Sequence, residues 1–193
     1  MVMEIFRSDE RTPSAWKNGG GVTREVAAEP PGAGLDDFTW RISLADVVHS
    51  GSFSVFSGID RIITVVDGPG MRLVVDGVPR RVDPHEPFAF SGDAVTECAL
   101  PGGPIVDFNV MVRRTRATAH VRIVREQATV RSDRAVRVLA MPLTGSAVLQ
   151  QAGVTLQRLD AALLSDGDQD VIGVTGVAAV VTLTATSGRP SLC

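Results

Sequence analysis

The chain has 193 residues, a formal net charge of −3 and two cysteines, one of them the last residue. It has no block of like charge, so it lacks the concentrated positive field that nucleic acid or an anionic membrane surface requires, and two cysteines make no disulfide framework. No apolar stretch approaches the ~20 residues that cross a bilayer, and MVMEIFRSDER lacks a basic segment followed by an apolar run; a cytoplasmic protein is expected.

The apolar pattern is short and rich in β-branched residues. FTWRISLADV (residues 38–47) alternates, and residues 61–82 read as two strands around the Gly-Pro-Gly turn at 68–70, with a second turn at Asp76-Gly77. PFAFSGD, TECAL and VDFNVMVRR follow as further strands. HVRIVRE, RAVRVLAMPL, SAVLQQ, VTLQRL and GVAAVVTLTAT continue the series. Spacing of about 8–12 residues between strands, with glycine and proline in nearly every gap, is the pattern of an all-β sandwich or barrel. LDAALLSDGDQ (159–169) suggests a turn or two of helix, ending at Gly167, and the short SLADVV could go either way.

DGVPRRVDPHEPFAFSGD and SAVLQQAGVTLQRLDAALLSDGDQD share a cadence of strand, turn, strand, polar connection and an apolar entry into Gly-Asp. That cadence suggests a bicupin-like chain. Two cupin-type antiparallel halves, approximately 1–115 and 116–187, would form one compact domain over 1–193 with a tail at 188–193.

Familiar catalytic patterns are missing. The histidines His49, His85 and His120 are scattered and give no metal motif. There is no G-x-S-x-G elbow, and Cys98 between Glu97 and Ala99 reads as a small core residue. Arg113, Arg114 and Arg116 form the densest basic cluster and read as a solvated turn.

SAWKNGGGVTREV (14–26) holds the only lysine, Lys17. Glycines at 19–21 let a ligand approach main-chain N–H groups. Asn18 offers an amide, Thr23 a hydroxyl, Arg24 a planar fork for carboxylate, and Trp16 an apolar wall. Such a set binds a small anion, most naturally a carboxylate. The same letters equally describe a tight turn or bulged strand in which Lys17 points to solvent and Arg24 pairs with a neighbouring acid.

WKNGGGVTRE (16–25) closely resembles the N-terminal signature of the HutD/Ves family. WRISLADVVHSGSFSVFSGIDRIITVVDG (40–68), FAFSGD (88–93) and DFNVMVRR (107–114) are similar to its later blocks. The resemblance covers residues 3 to about 185 and is strongest through Arg114. It implies a bicupin-like fold without the usual cupin metal ligands and no established catalytic activity. It also implies a link to bacterial histidine utilisation, with a pathway intermediate such as N-formylglutamate or urocanate as ligand. By matching letters it adds Arg61, which would complete a cationic pocket or equally pin a turn, and Asp107 and Asn109. Asp107 and Asn109 share one strand face, and Lys17 or Arg24 would be their partners if that face is buried.

The sequence thus predicts a metal- and cofactor-independent protein that binds a small carboxylate through Lys17, Asn18, Thr23, Arg24, Arg61, Asp107 and Asn109. The alternative is an enzyme (a lyase, isomerase or hydrolase) acting on a similar acid, with Lys17 as acid/base and Asp107 as its partner. Homodimer formation through sheet edges is a further expectation.

Overall fold

The computed structural model describes residues 3–16 and 21–186. Among them the chain forms strands and a single 3₁₀ turn at Ser8–Glu10, with no α-helix. In chain order the strands are β1 (Glu4–Phe6), β2 (Pro13–Ala15), β3 (Gly21–Glu29), β4 (Trp40–Val47), β5 (Gly51–Ser52) and β6 (Ile59–Asp67). There follow β7 (Met71–Val75), β8 (Val78–Val82), β9 (Phe88–Ser91), β10 (Thr96–Ala99), β11 (Ile105–Arg113) and β12 (Ala117–Val124). The last are β13 (Gln127–Arg131), β14 (Val136–Leu149), β15 (Val154–Leu156), β16 (Ala161–Leu164) and β17 (Gln169–Ala185).

They assemble into three sheets. One has six strands in the order β2-β3-β4-β11-β6-β9, and one has four in the order β5-β10-β7-β8. The seven-stranded sheet runs β1-β16-β14-β17-β12, with β13 on β17 and β15 on β14. All the strand pairings are antiparallel, so β1, from the N-terminal arm, lies along β16 near the other end of the chain.

The six-stranded sheet is covered on both faces. Ile42, Leu44, Phe108 and Val110 pack against Leu139, Met141, Ala179 and Val181 of the seven-stranded sheet. On the opposite face Ala45, Val47, Ile63 and Val65 meet Met71, Leu73, Val82 and Cys98 of the four-stranded sheet. Burial on both faces fits β11, which is apolar apart from Asp107, Asn109 and the terminal Arg113, whereas β4 alternates, with Arg41 and Ser43 on the face towards the four-stranded sheet. A third cluster lies inside the seven-stranded sheet and is built from Val138, Ala140, Leu149, Leu156, Leu164 and Ile172 among others.

Two elements differ from the sequence expectation. Residues 159–169 form no helix: Ala161–Leu164 is a strand with all four residues buried. A short apolar run buried all round has no period, and its letters do not separate strand from helix. RAVRVLAMPL and SAVLQQ are not two strands but parts of the single long β14, whose register with β17 shifts between Pro142 and Thr144. There Gly145 and Gly176 face each other with φ of 64° and 104°. A side chain at either would run into the backbone of the opposite strand, so the bend needs glycine on both strands.

Gly145→Val should therefore lower unfolding free energy by more than about 2 kcal/mol, measured by urea denaturation. The same substitution at Gly153, also at positive φ but with open space around it, should cost less.

Candidate functional site

The face of the six-stranded sheet that meets the four-stranded sheet carries the buried polar residues. Register defines the rows. Asp107 lies between Ala45 and Val65, Asn109 between Ser43 and Ile63, and Met111 between Arg41 and Arg61. Period two on β11 puts Asp107 and Asn109 on this face and Phe108 and Val110 on the other. Asp107 is 2% exposed, Asn109 8% and Arg61 6%.

Arg61 sits in an aromatic box. Its guanidinium carbon lies 5.2 Å from the ring centre of Phe53, 5.5 Å from Phe56 and 5.0 Å from Phe90. Phe90 is its direct cross-strand neighbour on β9, while Phe53 and Phe56 come from the connection between β4 and β6. Ring faces attract the cation by about 0.5–2 kcal/mol each, but they accept no ordinary hydrogen bond. Arg61 Nη2 donates to Asn109 Oδ1 over a long 3.5 Å, and Arg61 Nε has no partner. Burial lowers its pKa to about 10, a fall that Asp107 opposes.

Asp107 is equally short of partners. Its Oδ1 is buried with no hydrogen bond. Burial pushes its pKa up to about 7, Arg61 pulls it down, and Asp46 adds to the rise. The thiol of Cys98, 3.8 Å from Met71 Sδ, is pushed up to about 12 by burial and by Asp107. It stays a neutral core thiol rather than a nucleophile. On the same face Arg41 Nε donates to Glu25 Oε2 at 2.7 Å, so that pair is closed.

The other residues singled out from sequence divide clearly. Lys17 and Asn18 lie outside the described residues. Thr23 shares the face of Asp107, one strand beyond β4, and accepts a 2.7 Å hydrogen bond from Trp16 Nε1. Trp16 packs on the apolar cluster between the sheets, and Gly21 leaves room for its ring. Arg24 is turned the other way. It pairs across the strands with Leu44 and binds Asp46 Oδ2 at 2.7 Å. It is therefore not a partner of Asp107 or Asn109, because odd and even positions of β3 face opposite sides. The structure brings together Arg61, Asp107 and Asn109, with Thr23 on the same face.

The aromatic box was not legible as such. In the sequence Phe53 and Phe56 are isolated phenylalanines within GSFSVFSG, and Phe90 has no signal beyond its period-two spacing from Phe88. The basic cluster lies in an exposed turn, as expected, but its arginines are engaged. Arg113 donates to the carbonyls of Asp36 and Phe38, Arg116 to that of Asp37, and Arg114 binds Asp60 at 2.7 Å and Asp93 at 2.9 Å. These arginines tie down the loops at the Arg61 end of the sheet. Among the described residues no group of three His, Cys, Asp or Glu side chains is placed to hold a metal ion, and no helix is long and apolar enough to cross a membrane.

The model of the HutD family matches residues 8–182. The chain belongs to the HutD family. It is 39% identical over 175 residues to an uncharacterised 21.2 kDa protein in the hutC 3' region of Pseudomonas putida, covering 89% of this chain and 91% of that one. The solved HutD from Pseudomonas fluorescens SBW25, described as a formate condition, superposes with a TM-score of 0.85 at 36% identity. That match covers 96% of this chain and 100% of that one. A conserved protein of unknown function from Pseudomonas aeruginosa PAO1 gives 0.80 at 33% identity, over 97% of this chain and all of that one. The fold is all-β and cupin-like.

The free protein should reveal Asp107 through pH. Its carboxyl keeps a proton to about pH 7 when folded, against an ordinary value of 3.8. Folded protein therefore binds the extra proton between those values, and stability falls as pH rises through that window and levels above it. Asp107→Asn removes the slope. Relative to wild type, the variant should gain stability from pH 4.5 to pH 7.5, by about 3 kcal/mol, read from urea denaturation at each pH. A constant difference between the two proteins would mean that Asp107 is ionised throughout.

Proposed function

We propose that this HutD-family protein binds a small carboxylate without a metal, and that binding regulates histidine utilisation. The observation that carries the reading is Arg61: a buried guanidinium with an unpartnered Nε, walled by three phenylalanines and facing Asn109. A buried cation without a hydrogen-bonded anion is costly. A planar carboxylate is the group that the guanidinium fork fits. Asn109 would orient the ligand and the rings would exclude water. The formate condition of the Pseudomonas fluorescens relative is compatible with a site for this group.

Lys17 and Asn18 enter the proposal as the segment joining Trp16 to Gly21. Gly21 aligns with Val47, six positions along β4 from Arg41, whose row contains Arg61. That offset is about 20 Å at the rise of a strand. Arg61 reaches back along it towards Asn109. Lys17 enters the reading from its place in the sequence alone, as a second cation for an extended acid such as N-formylglutamate or urocanate. Thr23 would border the Gly21 end, and Arg24 would act at second hand by holding Asp46. In this reading residues 1–115 form one cupin-like half and residues 116–187 the other, except that β1 lies in the sheet of the second half, and the ligand is in the first. The ligand state would be passed to a protein partner or to a second copy of the chain, in the cytoplasm.

A second reading draws on Asp107. A carboxyl titrating near neutral pH can act as acid or base, so an enzyme acting on a similar acid is the alternative.

The test is a thermal-shift series of metal-free protein with formate, glutamate, N-formylglutamate and urocanate. A ligand that binds only the folded state raises the melting temperature by mass action. Arg61→Met and Lys17→Met should each abolish the shift and leave a cooperative transition. No shift with any of the acids would sink the proposal. Chemical change of the acid during incubation, lost in Asp107→Asn, would establish the enzyme reading instead.

A further inference from the structure

Arg61 and Asp107 are a cation and an acid buried in one layer, yet no ion pair joins them. By register Arg61 lies in the row of Met111, and the row of Asn109 separates it from Asp107. Arg61 Nη2 reaches Asn109 Oδ1, while Arg61 Nε and Asp107 Oδ1 have no partner. A carboxylate seated on Arg61 changes the charge count of this layer. Empty, the layer holds one guanidinium and one carboxyl group. Occupied, it holds one guanidinium and two carboxyl groups, so one carboxyl group has no cation of its own. Among the described residues the other titratable groups around Asp107 do not supply one. From β4 and β3, Arg41 is closed by Glu25, and Asp46, held by Arg24, only adds to the rise of the Asp107 pKa. From the four-stranded sheet comes Cys98, a thiol pushed up to about 12 and therefore neutral. His85 donates its backbone N–H to Val65 O beside the row of Asp107 and lines a surface cavity with Val121 and Ile123. Burial, with Arg125 next, holds its pKa below 6.5, so it carries no charge at pH 7 and above.

Two carboxylates that share a buried site and one cation do not both stay ionised. A proton held between them replaces the repulsion by a short O–H···O bond and gives the Asp107 carboxyl the partner it lacks. We propose that the protein binds its acid together with one proton, shared between the ligand's carboxylate and Asp107. This rests on the carboxylate reading above and adds the regulation of that site, because pH then sets how tightly the ligand is held. The charges balance in either direction of pH. Where Asp107 is already protonated, the ligand enters as its anion and no proton is exchanged. Where Asp107 is ionised, one proton enters from solvent with the anion, and the occupied layer again carries one positive and one negative charge. Burial of Asp107 in the empty protein places the changeover near pH 7. Above it a proton must be drawn from increasingly alkaline water, so binding weakens as pH rises. Asp107 is a positioning and proton-holding residue in this scheme, and no bond of the ligand is broken.

Titration calorimetry of the full chain with formate and with N-formylglutamate tests this, since neither acid has a group of its own that titrates between pH 6 and pH 8. At pH 8 the binding enthalpy should differ between HEPES and Tris by the heat of drawing close to one proton from the buffer. At pH 6 the two buffers should give nearly the same enthalpy. Affinity should be roughly tenfold weaker at pH 8 than at pH 6. The wild-type comparison of buffers needs no variant. Asp107→Asn, shown to be folded by its melting curve, should bind each acid with no buffer dependence and with equal affinity at the two pH values. Binding to wild type at pH 8 without proton uptake overturns this inference and leaves the carboxylate reading standing. Binding of neither acid, together with no thermal shift from any carboxylate, overturns both.

Discussion

The six-stranded sheet has no solvated face at its centre, and the rest of the molecule depends on that constraint. Its strands lie between the seven-stranded sheet on one side and the four-stranded sheet on the other. Any polar side chain on β4, β6 or β11 must find a partner inside the protein or remain unsatisfied. On the face towards the seven-stranded sheet nearly every inward position is apolar, with buried Thr64 and its unpartnered hydroxyl as an exception. On the face towards the four-stranded sheet the rule is broken at Arg61, Asp107 and Asn109, and Arg61 and Asp107 keep unpartnered polar atoms. Unsatisfied groups at this depth would be a defect in a scaffold. Under the proposed function Arg61 and Asp107 are half of an interaction whose other half is a ligand.

The seven-stranded sheet gives the contrast. The cluster inside it is alanine, valine, leucine and isoleucine, and its buried acids serve the backbone. Asp160 accepts from the N–H groups of Ser8 and Gln157 and from Arg7. Asp168 accepts from Ser165 N, and Asp170 from Gln151, Ala152 and Val171 N. These carboxylates cap turns and fix the N-terminal arm against β16. They are buried but fully engaged, which is why they suggest no chemistry. Burial of an acid is a poor pointer to function unless its partners are counted.

The loops beside Arg61 show how the same chain makes a site rigid. Asp60 and Arg61 are neighbours on opposite faces of β6. Asp60 faces out to Arg114, which also holds Asp93, while Arg61 faces in to the phenylalanine box. The outward ion pairs are exposed and contribute little to stability singly. Their effect is positional, since they pin the connections before β6 and after β9 and so hold Phe56 and Phe90 around the guanidinium. Nothing in the run RRTR announces this, because a cluster of arginines in a turn looks the same whether it is solvated or tied to three loops.

Much of the fold was legible in the letters, and for a clear reason. Strand length, β-branched content and glycine or proline at the ends are local properties, so β4, β7, β8 and β11 are recognisable without a structure. The stretch Ala161–Leu164 was not, because complete burial erases the period that separates strand from helix. Nor was the continuity of β14, whose bend depends on Gly176 of another strand. For the site, period two alone placed Asp107 and Asn109 together. The opposite facing of Thr23 and Arg24 follows from the same rule, but which face is functional does not. The sequence by itself determined an all-β chain of the HutD family with a few polar residues in apolar strands. Only the tertiary structure decided that Arg61 meets Asn109 while Arg24 meets Asp46, because those contacts depend on strand register and on which sheet covers which face. Both are set by packing between residues far apart in the chain.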